Sequence, residues 1–501
     1  MATRPSAVII GAGASGMVSA LLLAMHGYRV SIVERAKEPG VTLRGFLKSR
    51  VYFDSGVHFA GELSPHGVLT AYLRYLGIRD LPSVEFDRHC FETVRFSDRG
   101  DFSLAADYDK MLAGLCADFP AEKEGIHRYM ADVKAAYYSS AFHTLQGSPF
   151  RDETDPRWHI PLKDYIAGYI RDPWLQSLLA IPCLYHGVSP ENVSFLQHAR
   201  VAGTHFGGVR TFAQGGLSLV KALEQRLAEE GVVLHCNRSA VQIHCKSDGT
   251  LSEVELDNGE RLGCSVVIYT GHPCFLPQML PEKALRPAAV NRMNQLYDGM
   301  SAHLLYLSGG TEPPPLLDKK NLLYCQHARS FTEAFKPHHR GTAGPFYIMP
   351  GPSVLNRESG LFDSVDFVAA IPCDAAEYRA FYGSGNGKRP SAYRTQKKQR
   401  LKELYASLCR SVPEIEGLRL VDGATPATLQ KYLYSPGAGM YGVAHDITQF
   451  NPLPVTRVAG LFVAGQAVTG PGVMGATISA FLACGYLLDH QNLLNGVRTC
   501  R

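Results

Sequence analysis

The sequence predicts an α/β chain organised on a parallel sheet, and three stretches carry that prediction. Ala7–Ile10 is a short apolar run followed at once by Gly11, Gly13 and Gly16. Gly215 and Gly216 open a helical pattern, Leu217–Glu230, that Gly231 ends before strand-like runs. Near the end, Leu461–Ala464 leads through a glycine-rich loop into the apolar run Val473–Leu488. Short apolar strands alternating with helices indicate parallel strands, because a parallel pair needs a crossover between its members.

In the first unit, Ala7–Ile10 is too short for a lone helix and rich in β-branched residues, so it reads as a buried strand. The loop Gly11, Gly13, Ala14, Ser15, Gly16 has G-x-G-x-x-G spacing. Gly11 allows the tight turn, Gly13 lets the backbone approach a pyrophosphate, and Gly16 lets helix and strand pack closely. The helix Met17–His26 ends at Gly27, and Tyr28–Val33 reads as the next strand, closing on Glu34, 23 residues after Gly11. Unpaired N–H groups at the helix start favour phosphate. Glu34 can accept from ribose hydroxyls, and its charge disfavours a 2′-phosphate. This is a Rossmann-type dinucleotide site; the competing reading is a glycine-rich turn in some other α/β fold.

At 501 residues, 46% hydrophobic and 19% charged, the chain has room for two or three domains with a large core. A net charge of +4 gives no argument for a nucleic-acid partner. Its 12 cysteines include no C-x-x-C pair and no His/Cys cluster at zinc spacing, so they read as mostly buried thiols in a reducing compartment, with no metal centre. Gly11–Gly16 interrupt any leader-like apolar stretch, so the expected location is cytoplasmic. Val458–Leu488 lacks charge and is long enough to imitate a membrane span. Its glycines and Pro471 argue instead for strand, loop and buried helix.

After Glu34, Pro39 and Gly40 mark a turn, Arg44 lies in a loop and Val51–Phe53 is a short strand before Asp54, Ser55 and Gly56. His58 alone reads as a core histidine at a strand end. Residues 65–150 read as mainly helical, with one amphipathic stretch over Tyr108–Tyr138 whose face is Met111, Leu112, Leu115, Ile126, Tyr129, Met130 and Val133. The dense aromatics Tyr137, Tyr138, Phe142, Phe150, Trp158, Tyr165, Tyr169 and Trp174 read either as core filling or as the wall of an apolar ligand site. Val232–His235, Ser239–Cys245 and Val266–Tyr269 read as strands, with Asn258-Gly259 turning a hairpin. Ser301–Leu307 and Phe367–Ile371 suggest a separate sheet, and the basic helix Tyr393–Cys409 reads as a solvated face or a surface for anionic membrane.

GAGASG with Glu34, the middle segment from Gly215, and the closing GLFVAGQAVTGPGVMGA resemble the FAD-dependent carotenoid desaturase, isomerase and retinol saturase superfamily. FDSGVHFAG, MYGVAHD and GQAVTGPGVMGA are most similar to its retinol saturase and bacterial polyene reductase branch. The resemblance implies a Rossmann-type FAD-binding domain of the glutathione-reductase-like, two-dinucleotide-binding-domain class with an inserted α+β substrate domain. The expected order is FAD-binding parts at 1–64, 206–272 and 428–501, a helical segment at 65–205 and a substrate domain at 273–427.

It further implies that the Gly11–Gly16 loop takes the pyrophosphate and Glu34, with Arg35 beside it, the adenosine ribose. Arg44 falls where this family approaches the cofactor, and the backbone of Val241 faces adenine. Thr270 and Gly271 end the returning strand; Gly465 and Gln466 match the motif beside the ribityl chain. Gly472, Val473 and Met474 match the helix start facing the flavin, and Ser55, Gly56, Val57 and His58 the strand bordering it. Two departures stand out: Val41 follows Gly40 where the family has a second glycine, and Gln466 replaces a frequent acid.

The implied reaction is saturation of a polyene double bond, hydride coming from reduced FAD and a proton from His58, Tyr441, His445 or water. The expected partners are a long apolar polyene and an electron donor such as NAD(P)H or a reductase, with peripheral membrane contact left open. Polyene isomerisation, desaturation, and lipid escort without catalysis are the alternatives.

Overall fold

The structure is a computed structural model that describes residues 4–149, 155–310, 312–325, 345–351, 365–383 and 389–501. Strand β1 (Ser6–Ile10), helix α1 (Ala14–Met25) and strand β2 (Arg29–Glu34) form the expected first unit. The parallel sheet runs Val233–Cys236, β2, β1, Val266–Tyr269, Leu461–Val463. Ala7 lies between Val30 and Val266, and Val267 beside Leu461. Three distant parts of the chain therefore build one sheet.

The helix Gly472–Leu488 packs against α1, burying Ile478, Phe481 and Cys484 with Met17, Leu21 and Leu22. That placement explains its membrane-like composition, since a helix enclosed by protein needs no polar face. Among the described residues no helix is long and apolar enough to cross a membrane. Beside the parallel sheet lies the antiparallel group Ala240–Cys245, Leu251–Leu256 and Arg261–Gly263, joined by the Asn258-Gly259 turn.

The second large sheet runs Arg419–Ala424, Ser301–Ser308, Asp366–Cys373, Phe346–Pro350, Asn321–Cys325, Glu92–Phe96, Gly100–Leu104. The basic helix, observed at Ser391–Ser411, lays Leu401, Leu404 and Leu408 on one face of it and keeps most of its charges outside. Helices of the 108–202 region cover the other face.

Two expectations need amendment. Most of the regular structure of 65–150 is helical, as expected, but the segment also holds the strands Ser83–Glu85, Glu92–Phe96 and Gly100–Leu104. Glu92–Phe96 pairs in parallel with Asn321–Cys325, a partner so remote in sequence that no local pattern announces it. The stretch Tyr108–Tyr138 is two helices, Tyr108–Asp118 and Lys123–Tyr138, because Pro120 cannot continue the first. Its face is otherwise as expected, with Leu115, Ile126, Tyr129, Met130 and Val133 buried and Met111 and Leu112 partly so. Of the dense aromatics, most fill core: Tyr165 stacks on Phe195, Trp174 meets Phe96 edge-on, and Phe142 and Trp158 are buried. Tyr138 is exposed, and Phe150 lies outside the described residues.

A Cβ added at Gly16 would lie 1.9 Å from the Gly11 carbonyl oxygen, a contact that only backbone movement can relieve. Gly16→Ala is expected to cost about 1–3 kcal/mol, as overpacking does, read as a lower denaturation midpoint of the apoprotein.

Candidate functional site

At the carboxyl edge of the parallel sheet the first and last glycine loops meet around Thr270. Its hydroxyl donates to the Ile10 carbonyl at 2.9 Å, a Cβ at Gly11 would strike it at 2.4 Å, and a Cβ at Gly465 would lie 3.5 Å from the Thr270 carbonyl. Gly271 closes that strand under the Tyr269 ring, where a Cβ would meet the phenol oxygen at 2.6 Å. Gly11 and Gly465 have φ of +105° and +113°, so both turns use conformations that favour glycine.

The two helix starts at this edge are α1, capped by Gly13, and Gly472–Leu488, capped by Pro471. Nothing lies within 4 Å of a Cβ built at Gly13 or Gly472, so both glycines face open space rather than packing. The Ser15 hydroxyl, buried at the start of α1, has no partner. Ala14, Val473 and Met474 flank these openings with buried side chains. Glu34 holds the loop from the next strand: its oxygens accept from Ala12 N at 2.7 Å and Ala36 N at 2.8 Å, leaving each with a lone pair for a ribose hydroxyl. Open glycines, an orphaned hydroxyl and an anchored carboxylate fit a dinucleotide lying along this edge.

The structure also fixes the surroundings of the other expected residues. The Arg35 guanidinium stacks on the Tyr434 ring. Val241 sits at a bulge in its strand with an exposed side chain. Arg44 is engaged by protein: its Nε donates to the Pro39 carbonyl at 2.8 Å, and its guanidinium pairs with Glu38 at 2.8 Å and Glu224 at 3.2 Å. The 39–44 turn leans on the glycine loop through Gly40 N to Ala12 O, 2.8 Å.

Ser55, Gly56, Val57 and His58 form a loop rather than the expected strand. Ser55 Oγ donates to the Arg44 carbonyl at 2.8 Å, and Gly56 lies so close to Thr42 that a Cβ would sit 2.5 Å from its carbonyl oxygen. Val57 is buried, and His58 is half-buried with Nδ1 unpartnered. Burial lowers the His58 imidazole to about 4. Asp54, assigned no role from sequence, is buried and accepts from Gly216 N at 3.1 Å at the start of the middle helix. Burial pushes its carboxyl up to about 8, against the backbone bond.

Tyr441 and His445 come from the 435–446 segment. His445 Nε2 donates to the Gln466 carbonyl at 2.7 Å, and burial lowers its imidazole. Tyr441 packs on Gly187 with its hydroxyl raised well above the ordinary range by burial. A buried ion pair fixes this segment: His272 Nε2 meets Asp298 at 3.0 Å, and Asp298 also accepts from Ser435 Oγ and from Gly437 N at 2.6 Å. Burial opposes the imidazolium, but its bond to Asp298 wins and raises His272 to about 9.

Next to this region a cavity opens between the second sheet and the helices over it, lined among others by Glu92, Tyr129, Leu178, Tyr185, His198 and His205. Tyr129 and Tyr185 thus give the apolar-wall reading some support. The fold also gathers one cysteine with two histidines that the sequence keeps apart. Cys183, His186 and His198 gather with Sγ 3.6 Å from His198 Nδ1, and the Nε2 atoms of both imidazoles lack partners. Cys183–His186 and Phe195–Ala202 are separate helices, so spacing in the sequence did not reveal the group.

Residues 14–348 match the family of flavin containing amine oxidoreductases, and the chain belongs to that family. It is an FAD-dependent oxidoreductase. Over 98% of its length it is 23% identical to an all-trans-retinol 13,14-reductase of Rattus norvegicus, covering 87% of that protein. It is 26% identical over 278 residues, 52% of this chain and 47% of the relative, to prolycopene isomerase 1, chloroplastic, of an Oncidium hybrid cultivar. The solved structure of an oxidoreductase from Methanosarcina mazei shares the fold, with TM-score 0.67 at 15% identity over 95% of this chain and 98% of that one.

Two outcomes follow. Gly13→Ala should change apoprotein stability by less than about 1 kcal/mol but lower bound flavin, read from absorbance after reconstitution. His272→Gln should destabilise by about 3–5 kcal/mol near pH 6, as loss of one partner of a buried pair does. Because the folded-state value of His272 is raised, its stabilisation is complete below about 6.5 and lost as pH rises through about 9. Asp298 is lowered, so its share is present above its ordinary value of 3.8 and lost in stronger acid. Denaturation midpoints of protein and variant should therefore differ most between these limits and converge toward pH 9.

Proposed function

We propose that this chain reduces a carbon–carbon double bond of a long conjugated polyene. One observation carries the reading: likeness to an all-trans-retinol 13,14-reductase runs along 98% of the chain, not only through its nucleotide loops. The cavity walled mostly by apolar side chains agrees with such a substrate.

When bound and reduced, FAD supplies a hydride. The residues of the chain hold, orient and shield. Gly11, Gly13, Ala14, Ser15 and Gly16 receive the pyrophosphate, and Glu34 with Arg35 the ribose. The bulge at Val241 offers backbone groups to adenine. Thr270 and Gly271 lie between the halves of the site, with Gly465, Gln466, Gly472, Val473 and Met474 on the flavin side and Ser55–His58 bordering it. Arg44 acts by anchoring its turn to Glu38 and Glu224, not by direct contact.

Saturation also needs a proton, and we assign its delivery to Tyr441. With its pKa held near 4, His58 is neutral at pH 7, and the Nε2 proton of His445 is taken by the Gln466 carbonyl. Tyr441 keeps its proton because burial disfavours the phenolate. The electron donor is a nicotinamide cofactor or a reductase, and the setting is cytoplasmic with a membrane-facing entrance for the apolar substrate.

Isomerisation is the second reading, favoured by likeness to a prolycopene isomerase over 52% of the chain. The test is anaerobic incubation of dithionite-reduced protein with a polyene, followed by absorbance and mass. Gain of two hydrogens with a blue shift supports reduction; constant mass with a small shift supports isomerisation. In a parallel incubation of oxidised protein under oxygen a red shift indicates desaturation, and an unchanged polyene with no flavin bound in either incubation indicates escort. Tyr441→Phe is expected to slow saturation by about 10²–10⁴-fold at unchanged flavin content, measured by stopped-flow reoxidation. An unchanged rate assigns the proton to another source.

A further inference from the structure

Cys183, His186 and His198 are at most 2% exposed, and one ligand atom of each lies within 4.8 Å of the other two. Two helices bring them together: Cys183–His186 offers its first and last residues, and His198 belongs to Phe195–Ala202. Cys183 Sγ lies 3.6 Å from His198 Nδ1. A tetrahedral ion with bonds of about 2.3 Å to sulfur and about 2.0 Å to nitrogen holds such a pair about 3.5 Å apart. A closure of about 1 Å at His186 brings the third ligand to the same point. The protein satisfies these groups incompletely. Nε2 of each imidazole lacks a hydrogen-bond partner, and His186 Nδ1 accepts from Val188 N at a long 3.4 Å. The Leu179 carbonyl bears on the His198 ring without a well-formed bond to Nε2. A backbone carbonyl behind a ligating imidazole commonly orients its ring. Both imidazoles are in the neutral form that ligates: burial lowers His186 well below its ordinary range and His198 to about 3.

We propose that Cys183, His186 and His198 bind one transition-metal ion of the zinc class. The donor set decides the class: one thiolate and two imidazoles suit zinc, whereas magnesium and calcium take oxygen ligands. Binding displaces the Cys183 proton to solvent, so the thiol becomes a thiolate bonded to the ion and no electron is transferred. Without metal, burial pushes that thiol well up, and the Glu191 charge adds to the effect. A bound dication reverses the balance, because it stabilises the thiolate directly. At His186 a long hydrogen bond from Val188 is exchanged for a coordinate bond. His198 also lines the cavity beside the second sheet. The ion therefore staples two helices of the cavity wall, and with three protein ligands it leaves one tetrahedral position for water. The site is independent of the polyene reading, since none of its three ligands has a part there.

The test uses the full flavin-loaded chain, stripped of metal with a chelator and then loaded with Zn2+. After gel filtration it should retain about one zinc ion, and X-ray absorption at the zinc edge should show one sulfur at about 2.3 Å and nitrogen at about 2.0 Å. Co2+ in its place should give a sulfur-to-cobalt charge-transfer band and the visible bands of a tetrahedral ion. Zinc should also raise the melting temperature of the unaltered chain. Cys183→Ala should abolish the sulfur shell, the charge-transfer band and the rise in melting temperature. It should weaken zinc by more than the roughly 10–100-fold that loss of an outer-shell partner costs. His198→Gln should weaken zinc to a similar extent, whereas Cys90→Ala, at a partly exposed cysteine elsewhere, should change nothing. Flavin content and the melting temperature of the metal-free variants report folding. A chain that retains no zinc, or holds it by nitrogen and oxygen alone, overturns the proposal. So does a sulfur shell that survives Cys183→Ala. If that variant does not fold, unchanged zinc affinity in His198→Gln overturns it instead, and the sulfur shell of the unaltered chain is read without any variant.

Discussion

The site depends on the parallel alignment of three strands that the sequence holds far apart. β1, Val266–Tyr269 and Leu461–Val463 lie side by side, so their carboxyl ends emerge together and bring the first and last glycine loops to one edge. Thr270 ties that edge by bonding to the Ile10 carbonyl while lying against Gly11 and near Gly465. Both faces of the sheet are packed, Ala7 and Ile9 in one core and Val8 and Ile10 in another, so a slip by one residue would exchange the side chains of two filled cores; the register that fills them also sets the spacing of the loops. Cofactor geometry here is a by-product of sheet packing.

Charge is treated differently on the two sides of the site. Around the cavity and the segments beside it, burial keeps His58, His198, His205 and His445 neutral, and it raises Glu92. The one strong ion pair described there, His272–Asp298, serves to pin the 435–437 backbone rather than to face a ligand. Such an interior suits an apolar substrate, since an isolated charge near it would be poorly solvated. On the nucleotide side, polarity comes chiefly from backbone N–H groups at helix starts and from Glu34, which can meet phosphate and ribose without a buried side-chain cation.

Much of the parallel sheet was legible because its signals are local. Ala7–Ile10, the glycines, α1 and Glu34 announce themselves within a single stretch, and so do the last strand and helix. The hairpin Glu92–Leu104 did not, since its pairing with Asn321–Cys325 is determined by residues more than 200 positions away. Asp54 escaped for a related reason, because its partner Gly216 starts a helix in another part of the chain. Arg44 lies in a turn, as the sequence indicated, yet its commitments to Glu38 and Glu224 depend on packing that no motif records.

The interleaved sheet has a consequence for biosynthesis. A ribosome releases β1 and β2 early, but the strand that flanks β1 on its other side starts at Val266, and the next only at Leu461. Until the helix Gly472–Leu488 emerges, the helix it packs against, α1, has an apolar flank exposed to water. Pairing so distant in sequence is slow to form and leaves aggregation-prone surface in the interim. The edge that gathers both glycine loops is therefore complete only after the strand at Leu461 and the helix that follows it have been synthesised.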